Sequence, residues 1–138
     1  GAEGAIATII KNNAVGKVKM VTFDQPANAN EAFEQGILVG LASGIYTDPL
    51  WSFIIMANYL QGNPLSDKPI KIAANYIYIT NIEDAANYSK YVDGEGIYPY
   101  SAEEIQQMTK FYNPGFTAED LQKIASDWTM ENVIAKGK

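Results

Sequence analysis

The chain contains no histidine, no cysteine and no arginine; all ten of its basic residues are lysine. Thiolate and imidazole metal sites, cysteine nucleophiles and Ser–His–Asp triads are therefore excluded. Also missing is the guanidinium fork that commonly holds phosphates and carboxylates. Any catalysis would fall to carboxylates, lysine, tyrosine or backbone dipoles. No disulfide can form, so cysteine usage does not reveal the compartment. Long apolar runs are absent too. The longest, Trp51–Leu60, is broken by Ser52 and Asn58 and falls well short of the roughly 20 residues a membrane helix needs. Residues 1–15 lack the charged start and apolar middle of a secretory signal, as they would in a secreted protein whose leader had been removed.

What remains is a chain of 138 residues, 47% apolar and 19% charged. That is the composition and size of one globular domain with a real core. Sixteen acids against ten lysines give a net charge of −6. This disfavours nucleic acid and anionic membranes as partners, because both require a basic face.

Along the chain, Ala2, Ile6, Ile9 and Ile10 recur at helical spacing and predict a helix over 2–13, ended by Asn12, Asn13 and Gly16. Residues 17–23 (KVKMVTF) read as a strand, apolar on both faces in its second half, as in a buried parallel strand. Asp24-Gln-Pro-Ala opens a helix over about 27–35, with Ala29, Ala32 and Phe33 inward and Gly36 at C′. Residues 37–46 form the next strand. Asp48-Pro49 starts a helix, Asp at the N-cap and Pro at N1, carrying Leu50, Phe53, Ile54, Ala57 and Leu60 on one face to Gly62. After a polar loop at 63–69, residues 70–79 read as a third strand. The order αβαβαβ predicts an α/β layer fold, a parallel sheet flanked by helices.

Beyond residue 80 the pattern changes. Thr80-x-x-Glu83, Ser101-x-x-Glu104 and Thr117-x-x-Asp120 match capping boxes, so helices should follow each and form a helical C-terminal tail. Asp93-Gly-Glu-Gly96 marks a loop and Asn113-Pro-Gly115 a turn. The Glu103–Glu104 pair suits the first turn of a helix rather than acid–base work.

Four residues stand out for binding. Asp24 lies at the carboxyl end of a strand, where open α/β sheets bind ligands, and its carboxylate could accept two hydroxyl hydrogen bonds; a turn or N-cap role is the alternative. Gln25 follows it. Thr47 is a small polar group at the end of the next strand. Trp51 could stack on a sugar face or pack in the core. Asn87-Tyr-Ser89 matches a glycosylation sequon, a pattern with many chance hits. No phosphate-binding glycine run and no metal or cofactor motif is present.

The run Val18-Lys-Met-Val-Thr-Phe-Asp24, the helix ending Glu34-Gln-Gly36, the strand ending Thr47-Asp-Pro49 and the helix ending Leu60-Gln-Gly62 together resemble the C-terminal half of a type 1 periplasmic sugar-binding protein. Gly4-Ala-Ile-Ala-Thr and Ile77-Tyr-Ile-Thr-Asn-Ile82 extend the resemblance, which covers about residues 2–84. That family, similar in fold to the ligand domains of LacI-type repressors, has two α/β lobes joined by three crossing strands, with ligand between them. The resemblance implies a non-enzymatic receptor for a sugar or related polyol, without cofactor, serving an ABC importer and its permease outside the cytoplasm. It implies that Asp24 binds sugar hydroxyls and that Thr47 stands where the family commonly has Gln. Residues 1–47 and 75–138 would then form the C-terminal lobe. The 48–74 segment would cross the hinge and pack on a missing N-terminal lobe or a second copy of the chain. A ligand-sensing effector domain of a regulator or extracellular sensor is the second reading. An enzyme with Asp24 as general base is the third.

Overall fold

The structure is a computed structural model that describes residues 1–44, 47–93 and 99–137. Helix α1 spans Ala2–Lys11, and the chain turns out of it through Asn13 and Gly16, both at positive φ (51° and 80°). Strand β1 (Met20–Phe23), helix α2 (Ala29–Glu34) and strand β2 (Leu38–Ser43) follow. Gly36, at φ 66°, supplies the left-handed residue after α2. β1 and β2 pair in parallel, Phe23 opposite Ala42, as the β–α–β order requires.

Helix α3 (Asp48–Leu60) begins directly after β2, and β3 (Ile77–Ile79) completes a three-stranded sheet of order β1-β2-β3. Here the expected all-parallel sheet is corrected: β3 runs antiparallel to β2, Ile77 opposite Ser43 and Ile79 opposite Leu41. The cause is the connection. α3 leaves from the carboxyl end of β2, and residues 61–76, which contain no helix, bring the chain back to that same end. A strand entering where its neighbour leaves must run the other way. The sheet is therefore mixed, and the coarse α/β class holds.

The strands are also shorter than the sequence predicts. Residues 17–19 and 70–76 form no strand, while Ile45 and Tyr46 fall outside the described residues. Nor is the sheet buried on both faces. Leu38, Leu41, Ile77 and Ile79 pack with Ala29 and Ala32 of α2 and with Ala85 and Tyr88 of α4 (Ile82–Tyr91). On the opposite face Val21, Phe23 and Tyr78 remain 71–73% exposed. Apolar strand residues on both sides signalled a sandwiched sheet, but the helices cover one side of it.

The C-terminal part folds as α5 (Ala102–Gln107), α6 (Ala118–Ser126) and α7 (Met130–Lys136). Ser101 and Thr117 form full capping boxes with Glu104 and Asp120. The cap of α4 is displaced by one residue from the expected Thr80. Asn81 takes it, accepting from the Asp84 amide at 2.9 Å. Helix α7 was not anticipated; Thr129 caps it by accepting from the Asn132 amide. Of the Asp93–Gly96 loop, only Asp93 is described. Phe116 donates to the Asn113 carbonyl at 2.9 Å, closing the expected turn.

This tail covers one face of α3. The buried stripe is Trp51, Ile54 and Asn58, and the expected inner residues Phe53 and Leu60 are 60% and 75% exposed. Asn58 overrides the hydrophobic pattern because its amide is fully used. Its Nδ2 donates to the carbonyls of Ile54 (2.9 Å) and Met108 (3.1 Å), and its Oδ1 accepts from the Lys110 amide (2.8 Å). A buried amide satisfied in this way costs little and fixes the register between the two segments. Thr47, not Asp48, is the flanking residue of α3, so Asp48 is its first helical residue.

Three aromatic rings join the tail to the sheet. Tyr100 lies edge-on to Trp51 (5.6 Å between centroids) and stacks on Trp128 (6.0 Å). The Trp128 indole sits against Gly44, where β2 ends: a Cβ at Gly44 would lie 2.7 Å from Trp128 Nε1, and Gly44 has φ 108°. Gly44→Ala therefore meets both a clash and a disallowed backbone. We expect a loss of about 3 kcal/mol or more in urea unfolding. Gly16→Ala, at φ 80° with open space around it, should lose only about 1 kcal/mol. Equal losses would show that the Trp128 contact is unimportant.

Burial, with smaller contributions from the Glu104 and Asp127 carboxylates, pushes the Tyr100 phenol up to about 12. An unfolded chain releases that proton near 10. Between those values the folded state holds a proton the unfolded state has lost, so stability falls as pH rises from about 10 to about 12. Unfolding curves across that range should show a shallower fall in Tyr100→Phe than in the wild type; parallel profiles would contradict the assignment.

Candidate functional site

The chain ends β1, leaves β2 and re-enters β3 at one end of the sheet, and the candidate site lies there. Asp24 follows β1 directly, at φ 61°. Its amide donates to the Ala42 carbonyl at 2.9 Å, which extends the β1–β2 ladder by one bond and turns the side chain away from the strand's course. The residue flanking α2 is Asn28, so Asp24 does not cap that helix. Its carboxylate is exposed and has no hydrogen-bond partner among the described residues. A left-handed conformation at a residue other than glycine costs on the order of 1 kcal/mol, least for Asn and Asp. Here no internal bond of the side chain offsets it.

Beside Asp24, the ring of Phe23 meets Tyr76 edge-on, with centroids 6.1 Å apart, and both rings are exposed (73% and 42%). Tyr76 also lines a cleft of about 400 Å³ between the first turns of α3 (Asp48, Trp51, Ser52, Ile55) and residues of the 70–76 segment. Trp51 is 3% exposed, and its indole N–H is buried without a partner.

The four residues singled out in the sequence are thus divided. Asp24 stands free at the strand end. Trp51 packs against Tyr100 and also forms part of the cleft wall. Gln25 reaches into the structure, donating from Nε2 to Ser89 Oγ at 2.7 Å. Thr47 is 2% exposed, and its hydroxyl donates to the Gly44 carbonyl at 3.3 Å. Phe23, Asp48, Asn75 and Tyr76 were not singled out as ligand contacts. Their signal was faint: alternating aromatics at a strand's start, and an acid already explained as a helix starter.

Other polar groups are engaged elsewhere. The sequon residue Ser89 is bonded to Gln25, and its neighbour Tyr88 is buried within α4, unlike the exposed loop a glycan acceptor needs. A hollow of about 700 Å³ between α5 and α6 carries Glu103, Glu104, Asp120 and Asp127. Two of these close capping boxes, and Glu104 also holds Lys136 at 2.8 Å. Burial pushes the Glu104 carboxyl up, but the hydrogen bonds from Lys136 and the Ser101 amide outweigh it, and the group stays below its usual range. Among the described residues no cluster of three or more acidic side chains could hold a metal ion, and no helix is long and apolar enough to cross a membrane.

No family model, no curated protein and no solved structure matches the chain.

Because the Asp24 side chain supports nothing internally, Asp24→Gly should stay within about 1 kcal/mol of the wild type, as glycine accepts the left-handed backbone freely. Asp24→Ala should lose about 1 kcal/mol or more. Thermal melts of both variants decide this. An equal loss in both would mean that the carboxylate itself is structural.

Proposed function

We propose that the protein binds a sugar or related polyol at the carboxyl end of its sheet, as the ligand-binding component of an ABC importer. The observation that carries this reading is Asp24, a carboxylate with no internal partner among the described residues, held in a costly backbone conformation beside exposed rings. A carboxylate accepts paired hydroxyl bonds and an aromatic face covers the apolar side of a pyranose, so the two together suit a polyol. The indole N–H of Trp51 adds an unsatisfied donor on the adjoining cleft wall.

The antiparallel return of β3 fits the same reading. A chain that crosses out of a lobe after β2 and crosses back before β3 must leave and re-enter at one end of the sheet. The exposed outer face of α3, with Phe53, Met56, Tyr59 and Leu60, suits a helix that belongs against a further lobe or a second copy. Under this proposal the finer fold is that of a type 1 periplasmic binding protein in part, the permease is the partner, and the protein works outside the cytoplasm.

Calorimetric titration with a panel of pentoses, hexoses and inositols tests the proposal. One sugar class should bind. Asp24→Asn, which keeps the shape and tolerates the left-handed backbone, should weaken it by about tenfold to a hundredfold, since a charged acceptor bond contributes roughly 1.5–3 kcal/mol. The melting temperature of the free protein should not change. Binding unaffected by Asp24→Asn, or no binding by any member of the panel, would overturn it.

A further inference from the structure

The groups that suit a polyol fall into two sets. The first is Asp24 with the ring of Phe23. The second lines the cleft of about 400 Å³ beside α3, and neither Phe23 nor Asp24 belongs to its walls. That volume lies within the span of roughly 300–1,000 Å³ common to small-molecule sites, so the cleft has room for a ligand unit of its own. Its chemistry repeats that of the strand end. Asp48 is exposed, and its carboxylate, like that of Asp24, has no hydrogen-bond partner among the described residues. Ser52, also exposed, adds a hydroxyl in the same condition. The backbone groups of Ile72 and Ala74, on the facing wall, make no hydrogen bond among the described residues either. Between them stands Trp51, 3% exposed, with its indole N–H unpartnered. A buried donor left in this way is a standing cost that a ligand acceptor would relieve.

Tyr76 joins the two sets. Its ring meets Phe23 edge-on at 6.1 Å and also lines the cleft. A carboxylate that accepts paired hydroxyls, beside an aromatic ring that covers an apolar sugar face, thus occurs twice with one ring at the junction. A single pyranose at Asp24 leaves the cleft groups uncovered, and a single pyranose in the cleft leaves Asp24 unused. Two linked rings passing over Tyr76 engage both carboxylates.

Resting on the polyol reading of Asp24, we propose that the ligand is a disaccharide, with one unit at Asp24 and the second in the cleft beside α3. Asp48 and Ser52 take hydroxyls of the second unit, and Ile55 and Ile72 supply its apolar walls. A monosaccharide makes only the Asp24 half of these contacts. Once the first unit is bound, the linkage holds the second at high local concentration, so the second set of contacts adds affinity without a second encounter.

Calorimetric titration with maltose, cellobiose, lactose, melibiose, sucrose and trehalose, beside glucose, galactose and fructose, tests this. One disaccharide should bind about tenfold to a hundredfold tighter than either of its component monosaccharides. Asp48→Asn should weaken that disaccharide by about tenfold and leave the monosaccharide unchanged, whereas Asp24→Asn should weaken both. Ser52→Tyr, which fills the cleft from an exposed position, should remove the disaccharide's advantage altogether. Melting temperatures of the free Asp48→Asn and Ser52→Tyr variants should stay near that of the wild type, since both side chains are exposed. Monosaccharides that bind through Asp24 while no disaccharide gains over them would overturn the two-unit ligand and leave the sugar-binding reading standing. A disaccharide advantage indifferent to both Asp48→Asn and Ser52→Tyr would also overturn it, because the second unit would then lie outside the cleft. No binding by any sugar of either size would overturn both.

Discussion

The placement of the C-terminal tail on the sheet depends on the close approach of the Trp128 indole to Gly44. At that point the chain leaves the sheet, and the absence of a Cβ lets an indole from the far end of the sequence pack on the backbone. Trp128 stacks on Tyr100, Tyr100 meets Trp51 edge-on, and Trp51 belongs to the first turn of α3. Three rings and one glycine thus set where the C-terminal helices sit relative to the sheet. They also hold the first turn of α3 against the C-terminal helices. That arrangement leaves the carboxyl end of the sheet open beside Asp24.

Polar side chains complete what the rings begin, and amides do most of this work. Asn58 ties α3 to the segment around Met108 and Lys110, and Gln122 ties the return segment to α6. A chain without arginine or histidine has few long charged groups suited to bridging elements. The ion pair between Lys136 and Glu104 is half exposed and contributes little. Neutral amides donate and accept at once, so they can stand in for a strand or a helix end without bringing a charge into the core. The same economy reaches the candidate site. Gln25 and Thr47 are used to hold the structure together, which leaves Asp24 as the strand-end group without an internal bond among the described residues.

Much of this was legible in the residues. The β1–α2–β2 unit followed from apolar runs and glycine stops, and the caps at Ser101 and Thr117 followed from their spacing. Periodicity could not convey strand direction, because β3 is defined by where a helix-free connection returns the chain. It also misread which faces are covered: Val21 and Phe23 look like core residues in a window, yet no described helix covers that side of the sheet. Asn58 was missed for the opposite reason, since a polar residue inside an apolar helix gives no hint that three backbone groups await it. At the site, the position of Asp24 was readable from the end of a strand. Its left-handed backbone was not, because the sequence gives no signal for it there, and the ring of Tyr76 beside it was not, because that depends on residues more than fifty positions apart meeting at one edge.

The central claim is that ligand binds at the carboxyl end of the sheet, around Asp24. Amide and indole shifts in a nitrogen–proton correlation spectrum, followed while a binding sugar is titrated in, test it most directly. The account predicts that the changes gather on Phe23, Asp24, Asn75 and Tyr76, with the Trp51 indole moving and residues of the α5–α6 hollow still. Changes centred on that hollow, with Asp24 and its neighbours unmoved, would contradict it.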